Sequence, residues 1–326
     1  MYKLEWTFMD SKKMYLANFN VTFGDKEEPL LSWLDEFVLP AMNSGIKRKV
    51  SEKLSYMFQN VEIVKYNDEY VLEGILIKDT ILDIYNQLDE EAELIDTEQH
   101  PKSAPYSAFI VYLKNHRMVL VKRQSGSPDL RSFSATLIDV IKEYRRKENK
   151  IRRTHKESLL PYMVCGIKGI KNEKDIQTAL KDVKRIKKLT LKVLPQNNEI
   201  GGLYGIIDGL QEELRKKSQS KALSVVVTSP NSKKGVEEII KSTENLVEVS
   251  MDVEYYSDGI DSDGKERKRT GKIKDSDISQ TMDIQITDDL KENISDIYEY
   301  CTNIDSLHVN TANIEDYKKY INKRKE

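Results

Sequence analysis

The stretch Tyr106-Ser107-Ala108-Phe109-Ile110-Val111-Tyr112-Leu113-Lys114-Asn115-His116-Arg117-Met118-Val119-Leu120-Val121-Lys122 governs the reading of the fold. Two β-branched and aromatic runs flank a short polar segment, the pattern of a β-hairpin. A two-residue turn at Asn115-His116 sets Lys114 opposite Arg117, Leu113 opposite Met118, Tyr112 opposite Val119 and Val111 opposite Leu120. Both faces are apolar, so these strands belong in the middle of a sheet with a layer on each side. The charged tip (Lys114, His116, Arg117) is expected to project from the sheet edge.

Working toward the N-terminus, Tyr70–Ile77 and Val61–Lys65 read as two more strands around the turn at 66–69. Leu4, Trp6 and Phe8 alternate, as do Tyr15, Ala17, Phe19, Val21 and Phe23, which predicts another hairpin with one buried face. Between them, Leu30, Leu31, Leu34, Phe37, Val38 and Met42 recur at helical spacing. Pro40 is expected to strain the last turn of that helix, and Gly45 to stop it. The acidic stretch Leu88–Glu98 reads as a helix end running into a surface loop, broken off by Pro101 and Pro105.

Toward the C-terminus, Ser127 or Asp129 is placed to cap a helix carrying Leu130, Phe133, Leu137, Val140, Ile141 and Tyr144. Its far end dissolves into Arg145-Arg146-Lys147, Lys150, Arg152, Arg153 and Lys156, and a domain boundary is placed there. Beyond it, strands are expected at Pro161–Ile167, Lys188–Leu194, Ala222–Thr228, Leu246–Tyr256, Met282–Ile286 and Ser306–Val309. Helices are expected at Glu173–Ile186, Leu203–Lys217, Val236–Thr243, Asp289–Tyr300 and Glu315–Lys323. The fold class is therefore α/β (α+β) in two domains. An antiparallel sheet with packed helices occupies 1–147, a basic linker 148–158, and an alternating strand–helix domain of split βαβ type 159–326.

Charge is segregated along the chain. Residues 1–141 carry a net −6, residues 142–234 a net +13 and residues 235–326 a net −9, within an overall −2. A basic middle between acidic flanks asks for a polyanion, for the protein's own carboxylates, or for an acidic partner protein. On the helix that ends near Glu148, Lys142, Arg145 and Arg146 share a face. Lys181, Lys184, Arg185 and Lys188 repeat that spacing. Lys265, Arg267, Lys268, Arg269, Lys272 and Lys274 load an expected hairpin tip.

Familiar catalytic patterns are missing. The four histidines, His100, His116, His155 and His308, stand nowhere at HExxH spacing, and Cys165 and Cys301 make no CxxC pair. No GxSxG elbow occurs. Gly201-Gly202-Leu203-Tyr204-Gly205 departs from GxGxxG and lacks the Lys-Ser/Thr of a P-loop. Aligning Gly264 with the sixth position of an EF-hand puts Thr270 where a carboxylate is required. No metal and no cofactor is expected. No apolar run is long enough to cross a bilayer as a helix, and a reducing cytoplasm fits two scattered cysteines.

By elimination, the expected function is nucleic-acid binding by phosphate-backbone contact, as one component of a bacterial multi-protein system such as anti-phage defence. The residues expected to carry it are Lys114, Arg117, Lys142, Arg145, Arg146, Arg152, Arg153, Lys184, Arg185, Arg267, Lys268 and Arg269. The alternatives are an effector nuclease with metal ligands distant in sequence, and an adaptor docking on an acidic protein.

Overall fold

The computed structural model describes residues 11–88, 90–193, 213–214, 217–218, 220, 222–243, 247–256, 259, 269–286, 290–291, 293–309 and 314–325. The expected strand at Leu4–Phe8, most of the expected helix at Leu203–Lys217, the glycine run at 201–205, and Arg267 and Lys268 lie outside them.

Strand β1 (Ser11–Phe23) organises the larger sheet. On one edge it pairs with β10 (Arg117–Lys122). Outward from there lie β9 (Tyr106–Tyr112), β5 (Glu69–Ile81), β4 (Leu54–Tyr66) and the terminal strand β3 (Arg48–Ser51). On its other edge, the second half of β1 pairs with β11 (Met163–Gly169) and the first half with β16 (Thr281–Gln285). The short strands β2 (Glu28–Pro29) and β8 (Lys102–Ser103) add to β1 and β5. Every pairing among the described strands is antiparallel. Strands from both sides of residues 148–158 share this sheet, so two units divided there are not apparent in its pairing.

Strand alternation gives the sheet two apolar faces. Phe109, Val111, Met118 and Leu120 contribute to one core. It is covered by α1 (Leu30–Trp33), α2 (Leu39–Met42), α3 (Leu130–His155) and α7 (Ile314–Lys325). Ile110, Tyr112, Val119 and Val121 contribute to the other, covered by α6 (Ile294–Cys301) and the 3-10 turn Asp305–Leu307. The central placement expected for this hairpin is what the sheet shows. Its register differs, because Val111 faces Met118 and Val119 faces Ile110. His116 takes a positive φ of 54° and its N–H donates to the Tyr112 carbonyl at 2.8 Å, which lengthens the connection to four residues. The offset is two residues, so every side chain keeps its expected face.

The charged tip does not project. His116 is fully buried and Arg117 is 6% exposed. The Asn115 amide donates to the Leu307 carbonyl at 2.7 Å, which anchors the tip beneath the C-terminal segment. Burial and the neighbouring Arg117 charge hold the His116 imidazole down to about 4. Pro40 is absorbed rather than strained: a π turn over Leu34–Val38 lets the Leu39 N–H donate to the Leu34 carbonyl, one residue wider than an α-helical bond.

The second sheet runs β13 (Leu223–Thr228), β12 (Val183–Val193), β14 (Val247–Tyr255), β15 (Arg269–Lys274). Ile186, Leu189, Leu191, Val249, Met251 and Val253 line its inner face. There it packs on Ile176 and Leu180 of α4 (Glu173–Leu180) and on Val236 and Ile240 of α5 (Lys233–Ser242). The helix expected to reach Ile186 ends at Leu180, and β12 begins at Val183. The strand expected at Ser306–Val309 is the 3-10 turn. The segment expected as a helix end and loop is instead a hairpin, β6 (Ile84–Leu88) with β7 (Leu94–Gln99), forming a separate two-stranded sheet.

Candidate nucleic-acid interface

Helix α3 supplies one wall. Asp129 caps it by accepting from the Ser132 N–H at 2.8 Å, and Phe133, Leu137, Val140 and Ile141 turn one face into the first core. The helix does not fray at its polar run. It continues unbroken to His155 and stops where Lys156 takes a left-handed φ of 58°. On the solvent side Lys142, Arg146, Lys150 and Arg153 follow at steps of four, four and three, all exposed. That stripe spans about 16 Å at the α-helical rise.

The terminal strand β3 and the loop before it supply the other wall. Asn43 fixes the loop by donating to the Val61 carbonyl at 2.7 Å and accepting from the Val61 N–H at 3.2 Å. Gly45 adopts a left-handed φ of 70°. Between the walls lies an open groove of about 840 Å³. Its cations are Lys47, Arg48, Lys49, Lys142, Arg146 and Lys147, and its carboxylates are Asp139 and Glu143.

The carboxylates orient the cations without cancelling them. Arg48 Nε lies 3.2 Å from Asp139 and its guanidinium 5.5 Å from the Tyr56 ring centre. Arg146 grips Glu143 with two bonds of 2.8 and 3.0 Å, and this holds the Glu143 carboxyl below its ordinary range. Lys47 pairs with Asp79 outside the groove at 2.9 Å and lowers that carboxyl in the same way. Among the described residues Lys49, Lys142, Lys150 and Arg153 have no ion-pair partner. The result is a cationic trough that presents unpaired ammonium groups to an anion.

The other expected residues are not gathered here. Lys114 pairs with Glu69 at 3.0 Å, at the end of the β4–β5 pair opposite to the one that meets β3, and Arg117 is buried. Arg145 donates to the Leu160 carbonyl at 3.1 Å. Arg152 binds the Ser158 carbonyl at 3.0 Å and Glu36 at 2.9 Å. Both fasten the chain that leaves α3. Lys184 and Arg185 lie exposed on β12, with Arg185 3.3 Å from the Ser229 hydroxyl. The Arg269 guanidinium sits 5.2 Å from the Tyr255 ring centre.

Much of the basic third is neutralised across strands. Lys188 meets Asp252 at 2.9 Å, Lys187 meets Glu254 at 3.7 Å, and Lys192 and Lys168 meet Glu248 at 3.6 and 2.9 Å. Burial pushes Glu248 up, but the Lys168 and Lys192 ammonium groups outweigh it and leave the carboxyl below its ordinary range. A second cleft, about 690 Å³, separates the start of α3 from β14 and β15. Arg131, Lys168, Lys272 and Lys274 there face Asp129, Glu248, Asp275 and Asp277, so it carries no net bias toward an anion.

Sequence reasoning missed Lys47, Arg48 and Lys49. Their signal was the run Gly45-Ile46-Lys47-Arg48-Lys49, which disappears when averaged into an acidic third. Among the described residues, no three His, Cys, Asp or Glu side chains converge as metal ligands. Cys165 and Cys301 are free thiols. Burial raises the first and pushes the second up to about 12, away from thiolate chemistry. No helix among the described residues is long and apolar enough to cross a membrane. Compared with protein-family models, curated proteins and solved structures, the chain finds no match.

Proposed function

We propose that the chain binds nucleic acid through the trough between β3 and α3, contacting phosphates with little sequence preference. The observation that carries this reading is the surplus of four cations on its walls, with Lys49 and Lys142 unpaired among the described residues. Lys150 and Arg153 extend the stripe along α3. Such a stripe tracks a phosphate backbone and reads no base edges, because no exposed aromatic lines the trough. In this reading the protein is a binding component of a larger bacterial assembly, of the anti-phage kind, and performs no chemistry of its own.

Fluorescence anisotropy with random duplex and single-stranded DNA and RNA tests it. About four neutralised phosphates predict a roughly hundredfold fall in affinity between about 50 and 200 mM salt. Lys49→Glu with Lys142→Glu should weaken binding to all sequences alike, while Lys188→Gln on the second sheet leaves it unchanged. Binding that is absent at low salt, or indifferent to the double reversal, overturns the reading.

The finer fold expectation belongs with this proposal. Strands β13 and β14 flank β12, both antiparallel to it, and α5 links them. That arrangement supports a split βαβ unit and a second, C-terminal domain built around it.

A further inference from the structure

The β6–β7 hairpin is a ribbon without a sheet. It continues the end of β5, with the Leu82 N–H donating to the Pro101 carbonyl at 3.0 Å, and neither strand pairs with a third among the described residues. Leu88 sits directly opposite Leu94, and these side chains are 68% and 71% exposed. Tyr85, Ile95 and Leu82 are exposed as well. A two-stranded ribbon is marginal in water unless a third strand or another layer covers it. Residues 82–100 also carry seven carboxylates and no Lys or Arg.

The complementary surface is on the same chain. Strand β3 ends the larger sheet, its outer backbone edge unpaired among the described strands, and Val50 on it is 50% exposed. The trough beside it holds six cations against two carboxylates. Each ribbon strand, five or six residues long, matches an edge of four. Two ribbons facing each other would bring fourteen carboxylates together, so direct ribbon–ribbon contact is disfavoured.

We propose that the acidic ribbon of one molecule adds to the β3 edge and basic trough of a second copy, and that the reciprocal contact closes a twofold dimer. Backbone bonds from the added strand satisfy the open edge, the ribbon's apolar side chains leave water, and its carboxylates meet the trough cations. The ribbon then occupies the surface assigned above to phosphate, and the two polyanions compete. The dimer is argued from the ribbon, the edge and the charge of the trough, and does not require that nucleic acid bind there.

Sedimentation velocity on the full chain at about 50 mM salt tests this, where charge contacts are least screened. The wild type is expected to sediment as a dimer that dissociates as salt rises. A ribbon variant, Glu90→Lys with Glu98→Lys, and a trough variant, Lys49→Glu with Lys142→Glu, should each be monomeric. Mixed together they restore both contacts, and a heterodimer is expected. All the changed side chains are exposed, and unchanged melting temperatures confirm that the variants fold. The ribbon variant should bind nucleic acid at least as tightly as the wild type, which separates this failure from that of the earlier reading. A monomeric wild type, variants that still dimerise, or a mixture that stays monomeric overturns the proposal.

Discussion

Glu73 is a carboxyl on the wrong side of a sheet. It lies on β5 between Val71 and Ile75, 6% exposed, facing the second core, with Oε2 buried and without a hydrogen-bond partner. Burial raises its pKa, opposed by a hydrogen bond from Tyr66 and helped by Glu62 on the neighbouring strand. The folded state therefore holds this proton more tightly than the unfolded chain. Stability from it is complete below the unfolded value and is lost as pH rises through the folded one. Glu73→Gln is expected to raise the melting temperature at pH 7.5, by about 1–3 kcal/mol of recovered desolvation, with the gain vanishing toward pH 4. Thermal denaturation of both proteins across that range checks it. The sequence placed Glu73 in a strand, yet alternation alone does not say that a carboxyl is forced to face apolar neighbours.

Helix α3 shows how polar residues can hide an element. Its start was legible from Asp129 and the apolar spacing, and its end was read too early because the last turns carry hardly an apolar side chain. Those turns are held by hydrogen bonds instead. Asn149, buried, donates to the Leu160 carbonyl at 3.0 Å and accepts from the Leu160 N–H at 2.7 Å, folding the chain back along the helix. Asn149→Ala leaves the buried Leu160 N–H without a partner, while its carbonyl keeps Arg145, and should cost about 1–3 kcal/mol, measured by urea denaturation. The β6–β7 hairpin was missed for a related reason. Its carboxylates mask a period-two pattern in which Leu88 and Leu94 stand opposite each other. A central hairpin with two apolar faces, in contrast, announces itself, and even a register error of two residues left its layers correctly assigned.

Across the whole molecule, the basic third divides between two uses. On the second sheet its lysines face β14 carboxylates in a cross-strand ladder, and along α3 they face solvent. Net charge reported the surplus but could not apportion it, because pairing depends on strand register. Lys142 and Arg146 of the trough, and Arg153 on the stripe beyond it, were legible as basic residues. Lys47–Lys49 were not, since they reach it only through the fold. One buried pair joins the two sheets: Lys171 Nζ lies 3.0 Å from Asp275 Oδ1 and 3.1 Å from the Val247 carbonyl, while Asp275 also accepts from the Val249 N–H at 3.0 Å. Asp275→Asn strands the Lys171 ammonium out of water and should destabilise the protein by about 3–5 kcal/mol. Lys171→Met combined with Asp275→Leu should recover most of that loss in chemical denaturation.

The double partnership of β1 reaches into biosynthesis. Its first half waits for Thr281–Gln285, which leave a ribosome long after it, while its second half waits for Met163–Gly169. Until residues 281–285 have been made, this apolar strand keeps a naked flank. A nascent-chain chaperone has most to shield there, and a premature stop before residue 281 should yield a sticky fragment rather than a smaller working protein.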